Sequence, residues 1–526
     1  MHYQQGQDRN QIMMISLDQM VADDSFARII DLFVDAMPIE ELGFEHVKLN
    51  KEGNIPYHPR DMFRLLMYGY RNGIRSANKL AKACSINMEV MWLMKGLQPS
   101  PRTINYFRSN NSKAIENANR HFIKLLKQWK LVDGKTIAVD GTKVRGQNSL
   151  KNNFNHKKIK RHIDYLDKKM GDYLDQEQVA EQQLKGKKLK EKKDELNAKM
   201  DDLVNREDRF EELKEQIDQS HDGQVSLTDP DSRAVIKHRG IVEVGYNIQT
   251  TVDAKNKIIL DQFVGGVNDL NDLGKAVKRT QQTLDIKKMN VLADAGYYNG
   301  AEIAYVERLG AKPYVSPREP TYQKQEGYRK SDFSYDRLND IYICPQGHQM
   351  KHILTFRRGS KRKYNVKRYT TPNCNNCPVR NHCTSSIHGR YIERPSHQNY
   401  VERNNNRVNK NKDYYRQRQT IVEHPFGTFK RHWGMTHVMV RGRKNVETEY
   451  RLAAICYNLQ RGLSILGHDT LIKRLANLIR TIFGFFVSQK FYMTSQRIIT
   501  VMCRQLKFSC IRYHRRSDYS NLSVIA

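Results

Sequence analysis

Cysteine is scarce in this chain, eight in 526 residues. That is too few to staple a secreted fold with disulfides, and it leaves reduced thiols or metal ligands as the roles to consider. Long apolar runs are lacking as well. The stretch Thr481-Ile-Phe-Gly-Phe-Phe-Val-Ser488 lies between Arg480 and Lys490, whereas a membrane span needs about 20 apolar residues. No membrane partner is expected. The start, Met1 to Asn10, has no basic segment followed by an apolar one, so no export signal is read and the cytosol is the expected compartment. Acidic charge is in short supply: 57 Asp and Glu stand against 89 Lys and Arg, a formal charge of +32. Such an excess predicts a polyanionic partner. What the chain does have is 39% hydrophobic and 9% aromatic residues, enough to bury cores at a length that predicts several domains.

Residues 1–131 read as helical. Pro59 stands where a first helical turn tolerates proline, and Phe63, Leu66, Met67 and Tyr70 follow at helical spacing. Ser76 can cap a segment carrying Leu80 and Ala83, Ser85-Ile86-Asn87 reads as a short turn before Met88 to Met94, and Ser100-Pro101 opens a helix through Tyr106 and Phe107. A DNA-reading helix-turn-helix and an ordinary helical bundle share this pattern. A β-branched strand then runs to Asp140, after the Asp133-Gly134 turn. Residues 157–222 are an almost unbroken run of charged and amide residues in which Leu189, Leu196, Leu203, Phe210 and Ile217 recur every seven. This predicts a coiled-coil-like helical hairpin, its charges forming either a solvated face or a phosphate contact.

Two strands over 241–252 and 257–264 predict a hairpin, followed by a helix over about 270–284, a strand over 289–294 and a short strand over 312–316. Residues 317–412 lose regular period, and helix returns from about 413 to 465. The organisation expected is a helical domain over 1–131, a catalytic domain over 132–465 interrupted by insertions at 157–222 and 317–412, and a basic tail over 466–526 with no functional reading.

Asp140 and Asp294 each close an apolar strand and precede small residues, Gly141 and Ala295-Gly296. Small residues there let the backbone turn and leave the carboxylate projecting, a setting suited to hard divalent ions. Acids that merely terminate strands look the same. A third element is Tyr415-Arg-Gln-Arg-Gln-Thr-Ile-Val-Glu423-His-Pro-Phe-Gly-Thr-Phe-Lys430-Arg431. On one helix Arg416, Glu423 and Lys430 would share a face, an acid flanked by cations.

The segments Val139-Asp140-Gly141-Thr142, Ala293-Asp294-Ala295-Gly296-Tyr297 and Ile421-Val422-Glu423-His424-Pro425-Phe426-Gly427, with the helices around 58–108, resemble the DDE transposases of bacterial insertion sequences, and most nearly the insertion sequence 1182 family. The resemblance spans roughly residues 1–465. It implies an α/β, RNase H-like mixed-sheet core behind a helical DNA-binding domain. It also implies a metal-binding catalytic triad of Asp140, Asp294 and Glu423 that holds two Mg²⁺ ions, for which Mn²⁺ can substitute, and cuts and rejoins DNA. Double-stranded DNA (the element's terminal repeats and a target) would be the partner of a homodimer in the nucleoid, with no small-molecule substrate. Tyr415, Arg416, Arg418, Lys430 and Arg431 are the implied DNA contacts. The kindred signature Tyr-x2-Arg-x3-Glu-x6-Lys is kept only from Glu423 to Lys430, because Tyr415 and Arg418 stand one residue too early; Pro425 predicts that the helix begins or kinks at the acid. An RNase H-like nuclease or resolvase, and a DNA-binding copy that no longer cuts, are the alternatives.

Cys344, Cys374, Cys377 and Cys383 fall within 40 residues of one another, with a Cys-x2-Cys knuckle at their centre. A structural zinc is expected, His348 or His382 being able to replace one thiol; an iron–sulfur cluster or four unrelated thiols would also fit. Cys84, Cys456, Cys503 and Cys510 read as packing residues. This segment lies in the most basic part of the chain: residues 351–444 hold 22 Lys and Arg against four acids, interleaved with tyrosines. That composition suits gripping a nucleic-acid backbone and stacking on an unpaired base.

Overall fold

The computed structural model describes residues 10, 14–49, 52, 54–220, 222–237, 240–318, 327–359 and 363–481. The run ending at Ser488, Cys503, Cys510 and most of the 466–526 tail lie outside them. The described chain opens with seven helices: α1 (Phe26–Asp35), α2 (Ile39–Leu42), α3 (Pro59–Arg71), α4 (Ala77–Ile86), α5 (Met88–Leu93), α6 (Pro101–Asn110) and α7 (Ser112–Gln128). Ser25, Asn87 and Ser100 cap α1, α5 and α6 through their side chains. The turn between α4 and α5 is tighter than the expected three residues. Asn87 alone breaks the helix, because its side chain accepts from the Val90 N–H and offers the backbone a local alternative.

The chain forms two compact units. One comprises residues 1–68, 81–99 and 462–526, the other 69–80 and 100–461. In the first unit the buried Arg64 guanidinium binds three carboxylates, Asp31 at 2.7 Å, Asp35 at 2.5 Å and Asp61 at 2.8 Å. Burial drives the Asp31 carboxyl upward despite that cation.

The second unit is built on a sheet formed by β1 (Thr136–Arg145), β4 (Arg233–Ile236), β5 (Val242–Asp253), β6 (Ile259–Val264), β7 (Asn290–Ala293) and β8 (Lys312–Val315), with the short β2 (Asn153–Phe154) and β3 (Val225–Ser226) paired separately. β5 pairs antiparallel with β1, β4 and β6, whereas β7 and β8 run parallel to β1. The sheet is therefore mixed, as expected. Between β2 and β3 rise α8 (His156–Gln183) and α9 (Lys187–Gln219), the helical hairpin that the heptad predicts, with Leu196, Leu203, Leu213 and Ile217 buried along its seam. The pair β7–β8 is bridged by α11 (Gly300–Arg308), and α10 (Leu273–Leu284) joins β6 to β7.

Residues 317–412, which show no regular period in sequence, contain a second sheet. Its strands β9 (Ser334–Asp336), β10 (Ile341–Ile343), β11 (Gln349–Arg358), β12 (Tyr364–Thr370) and β13 (Ile392–Pro395) form a meander in chain order. Tyr342, Met350, Tyr369 and Ile392 fill its small core. β11 is exposed along nearly its whole length, so the alternation that reveals a half-buried strand is missing. The short α12 (Arg380–Cys383), α13 (Gln398–Lys410), α14 (Lys412–Gly427) and α15 (Arg443–Leu466) follow, and the described residues end in helix over 468–481.

Two helices cover the first sheet. Ile421 and Val422 of α14 pack on Ala138, Val252 and Leu292. Residues one position along these strands point the opposite way, toward α10, whose Arg279 pairs with Asp261 of β6 at 2.5 Å. At the β6 edge Asn458 of α15 accepts from the Ile259 N–H and donates to its carbonyl, and Glu447 accepts from the Val264 N–H. Arg75 and Glu449 form a fully desolvated pair at 2.9 Å, Arg75 donating also to the Gly434 and His437 carbonyls. Glu449→Ala leaves that guanidinium buried without its acid; we expect a loss of about 3–5 kcal/mol in chemical denaturation, and a loss under 1 kcal/mol would show the pair to be dispensable.

Candidate active site

The site is created by two parallel strands of unequal length. β7 pairs with β1 from Asn290↔Thr136 to Ala293↔Val139 and stops, while β1 continues against β5 to Arg145. Asp140 and Asp294 are the first residues past the last paired rung, so the register itself sets the two acids side by side. The expectation that β1 ends at the acid is incorrect: Gly141 lies inside the strand, opposite Gln249. The absent side chain serves a close approach and not a turn. A Cβ at 141 would meet Asp269 Oδ1 at 2.4 Å, Gln249 Nε2 at 2.8 Å and Asn247 Oδ1 at 2.9 Å. At Asp294 the chain does turn. Its carboxylate accepts from the Gly296 N–H at 2.9 Å and caps the 3-10 turn Ala295–Tyr297.

Asp269 is a third acid at this place, and sequence reasoning missed it. It lies one residue before the expected 270–284 helix, in a polar Asn-Asp-Leu-Asn-Asp turn that carries no apolar strand before it. Its Oδ1 accepts from Asn247 Nδ2 at 2.8 Å and Gln249 Nε2 at 2.6 Å, and Gln249 in turn accepts from the buried Tyr297 hydroxyl.

Burial pushes the Asp140 carboxyl up to about 6; Arg418 opposes that shift, and Asp294 and Asp269 add to it. Arg418 donates to Asp140 Oδ2 at 3.2 Å from α14. Although burial works against its charge, Asp140, Tyr415 and Asp294 hold the guanidinium above its usual range. Arg418 reaches the acid because it shares the sheet-facing side of α14 with Ile421 and Val422, three and four residues on. Tyr414 fixes the start of that helix, its hydroxyl lying 2.7 Å from Thr136 Oγ1 and accepting from Asn290 Nδ2 at 2.8 Å.

The remaining residues of the third element divide. Glu423 is exposed on α14 and accepts from Gln419 Nε2 at 2.7 Å; no interaction among the described residues joins it to Asp140 or Asp294. Arg416 pairs with Asp413 at 3.1 Å, and Tyr415 and Arg431 lie at the surface. Pro425 neither begins nor ends the helix. It sits buried in the last turn of α14, and the chain then widens into a π-helical turn, Thr428–His432. That turn breaks the seven-residue alignment of Arg416, Glu423 and Lys430. The Lys430 ammonium is held low by burial and by Lys237, and Asp140 acts against both, so this cation lies within reach of the Asp140 charge.

Asp140 and Asp294 offer hard oxygen donors in a half-buried setting where mutual repulsion already costs energy, chemistry that a divalent cation would relieve. Among the described residues, however, no three His, Cys, Asp or Glu side chains are placed to share one metal ion. The same holds for the cysteines. Cys344, Cys374, Cys377 and Cys383 do converge, with His348, on one cavity of about 20 Å³, room for a single water or ion. The Cys383 thiol is raised first by burial, with the other three cysteines adding to the shift. Cys84 and Cys456 are buried packing residues.

Two expectations follow. Asp140 titrates higher in the folded chain than in the unfolded one, so its contribution to stability is full below about pH 4 and is lost as pH rises through 6. Relative to wild type, Asp140→Asn should therefore gain about 1–3 kcal/mol between pH 4 and pH 7.5 in urea denaturation; an unchanged difference would place the carboxyl at its ordinary value. Gly141→Ala forces the Asp269 carboxylate away and should cost about 1–3 kcal/mol, a loss that Asp269→Ala in the same chain should partly restore.

Comparison with known families fits this arrangement. Residues 343–463 match the family described as Transposase DDE domain, and residues 15–110 match the Transposase domain family of the type DUF772. The first match takes in the cysteines, α14 and Glu423 but neither Asp140 nor Asp294. No curated protein matches the chain. Among solved structures, the piggyBac transposase, seen by cryo-EM in a synaptic complex with hairpin DNA, aligns at 9% identity over 88% of this chain and 79% of its own, with a TM-score of 0.28, too low to carry weight. What the comparisons show is that two segments of the chain are similar to transposase families, one over the first helices and one over residues from the end of β10 through α14 and most of α15.

Proposed function

We propose that the chain is a DNA transposase of the insertion-sequence type, built on an RNase H-like core, that cuts at the ends of its element and transfers the freed strand into target DNA. The observation that carries this reading is the register that seats Asp140 beside Asp294 where β7 stops and β1 runs on. Together with Glu423, on the helix that also brings Arg418 to Asp140, they form the proposed ligand set for Mg²⁺, with Mn²⁺ able to replace it. When bound there, the metal supplies Lewis acidity to the attacking and leaving oxygens of an in-line displacement at phosphorus.

The chain's own residues set the conditions. Arg418 holds Asp140 ionised despite burial, and the Gln419–Glu423 hydrogen bond must open before Glu423 can join the two aspartates. Lys430, on which Asp140 acts, is proposed to hold the phosphate of the cut strand, with Tyr415, Arg416 and Arg431 gripping backbone further along. The helices of the DUF772-type segment are assigned to the terminal repeats, and a homodimer to bringing two ends together. The four cysteines, which share one cavity, are assigned a structural zinc once their thiols close around it. Metal analysis then finds about one zinc per chain, lost in Cys377→Ser; a zinc-free wild type overturns that assignment.

The main test is cleavage of a labelled duplex carrying the flanking ends of the element. Wild type should nick it in Mg²⁺ and expose a 3′-hydroxyl. Asp140→Asn, Asp294→Asn and Glu423→Gln should each lower that rate by at least a hundredfold while leaving duplex binding within about twofold, because they remove ligands and not basic surface. Mn²⁺ binding followed by paramagnetic resonance should weaken in the same variants. A Glu423→Gln variant that cuts normally removes Glu423 from the set and leaves Asp269 as the next acid to test.

A further inference from the structure

A second surface begins beside the acid pair and runs away from it. Tyr298, four residues past Asp294, stands at one end of an open groove of about 1440 Å³ that extends between α13 and the second sheet as far as Cys383. Small-molecule sites occupy about 300–1,000 Å³ and are mostly apolar. This groove is larger, and among the described residues it is lined by seven Lys and Arg side chains against one carboxylate, Glu402. That carboxylate is already spent: Arg394 binds it at 2.5 Å and 3.0 Å and also caps the Tyr335 ring at 3.6 Å. Arg403 is satisfied by Glu307. The other five, Arg318, Arg329, Lys330, Arg337 and Arg390, form no ion pair among the described residues. Lys330 and Arg390 donate only to backbone carbonyls, those of Glu393 and of Cys383 and Tyr328. Burial and the nearby Arg394 hold the Lys330 ammonium low, with Glu402 and Glu393 acting the other way.

The groove also presents flat rings and amides. Tyr298 and Tyr328 are half-buried with part of each side chain open. Tyr328 is held edge-on by His382, and Tyr298 by hydrogen bonds with Asn405. Gln398, Asn399 and Asn406 add donors and acceptors along the wall. Cations that track a backbone, with fixed aromatic faces between them, are the chemistry of single-stranded polynucleotide binding: an unpaired base can stack on a ring, whereas the bases of a duplex are already stacked on each other.

We propose that this groove binds a single strand of DNA, the strand left unpaired next to the acid pair. The identity of that strand rests on the transposase reading; the binding itself does not. The test uses the full chain in EDTA, so that no cutting is required, and compares the anisotropy of a labelled 20-nucleotide oligo-dT with that of a blunt 20-base-pair duplex. Wild type should bind both. Arg329→Glu with Arg337→Glu, two exposed positions outside the acid site, should weaken oligo-dT binding at least tenfold and leave the duplex within twofold. The salt slope for oligo-dT should become shallower by about 1.4, two phosphate contacts at roughly 0.7 each. Tyr328→Ala should weaken oligo-dT alone. Equal losses on both ligands would reduce the groove to general electrostatics and overturn the proposal, as would unchanged oligo-dT binding. Arg337→Gln serves as the milder variant if the double substitution lowers the melting temperature. A chain that binds oligo-dT in this way but never nicks element ends would keep the groove and refute the transposase reading.

Discussion

The site depends on a mismatch in strand length. β1 is held on one side by β5 along nine rungs and on the other by β7 along four, so its second edge opens at Asp140. Nothing in the chemistry of aspartate requires two of them to meet; the ladder makes them neighbours when its last rung falls at Val139 and Ala293. Because the strands on either side of that rung are buried among branched residues, the carboxylates cannot retreat into solvent together. The protein answers the resulting repulsion with a guanidinium from α14, while Asp269, for which Gly141 leaves room, adds to it.

This places conflicting demands on a small region. Arg418 steadies Asp140 and yet takes up one of its carboxylate oxygens, Oδ2, that a metal ion would also use. Asp269 is tied down by two amides, and through Gln249 it is coupled to Tyr297 in the turn that Asp294 caps. The acids are thus held from three directions, by the sheet, by α14 and by this polar relay. Such rigidity suits a site whose partner must be positioned to within fractions of an ångström.

Much of this was legible in the sequence. The strands before Asp140 and Asp294 announce themselves by β-branched runs, the helical hairpin by its seven-residue repeat, and the four cysteines by their crowding. What could not be read has two causes: contacts between residues far apart in the chain, and local structure without a periodic signal. Gly141 looks like a turn until Asp269, over a hundred residues away, is seen above it. Asp269 sits in a polar loop with no local signal. The π-helical turn after Pro425 rotates Lys430 off the face that a regular helix would give it. The second sheet hid because β11 is exposed on both sides and so lacks alternation.

The long arm formed by α8 and α9 illustrates a separate economy of design. It leaves the body at Phe154 and returns at Val225, residues that face each other across the two-stranded ribbon of β2 and β3. Entry and exit are therefore adjacent, and the ends of the excursion are fixed whatever lies between them. Closing a longer loop adds entropy cost only logarithmically, and here the helices stiffen it further. The arm can grow or shrink by whole heptads over evolutionary time while the strands on either side keep their places, so reach becomes a property that can vary independently of the chemistry below.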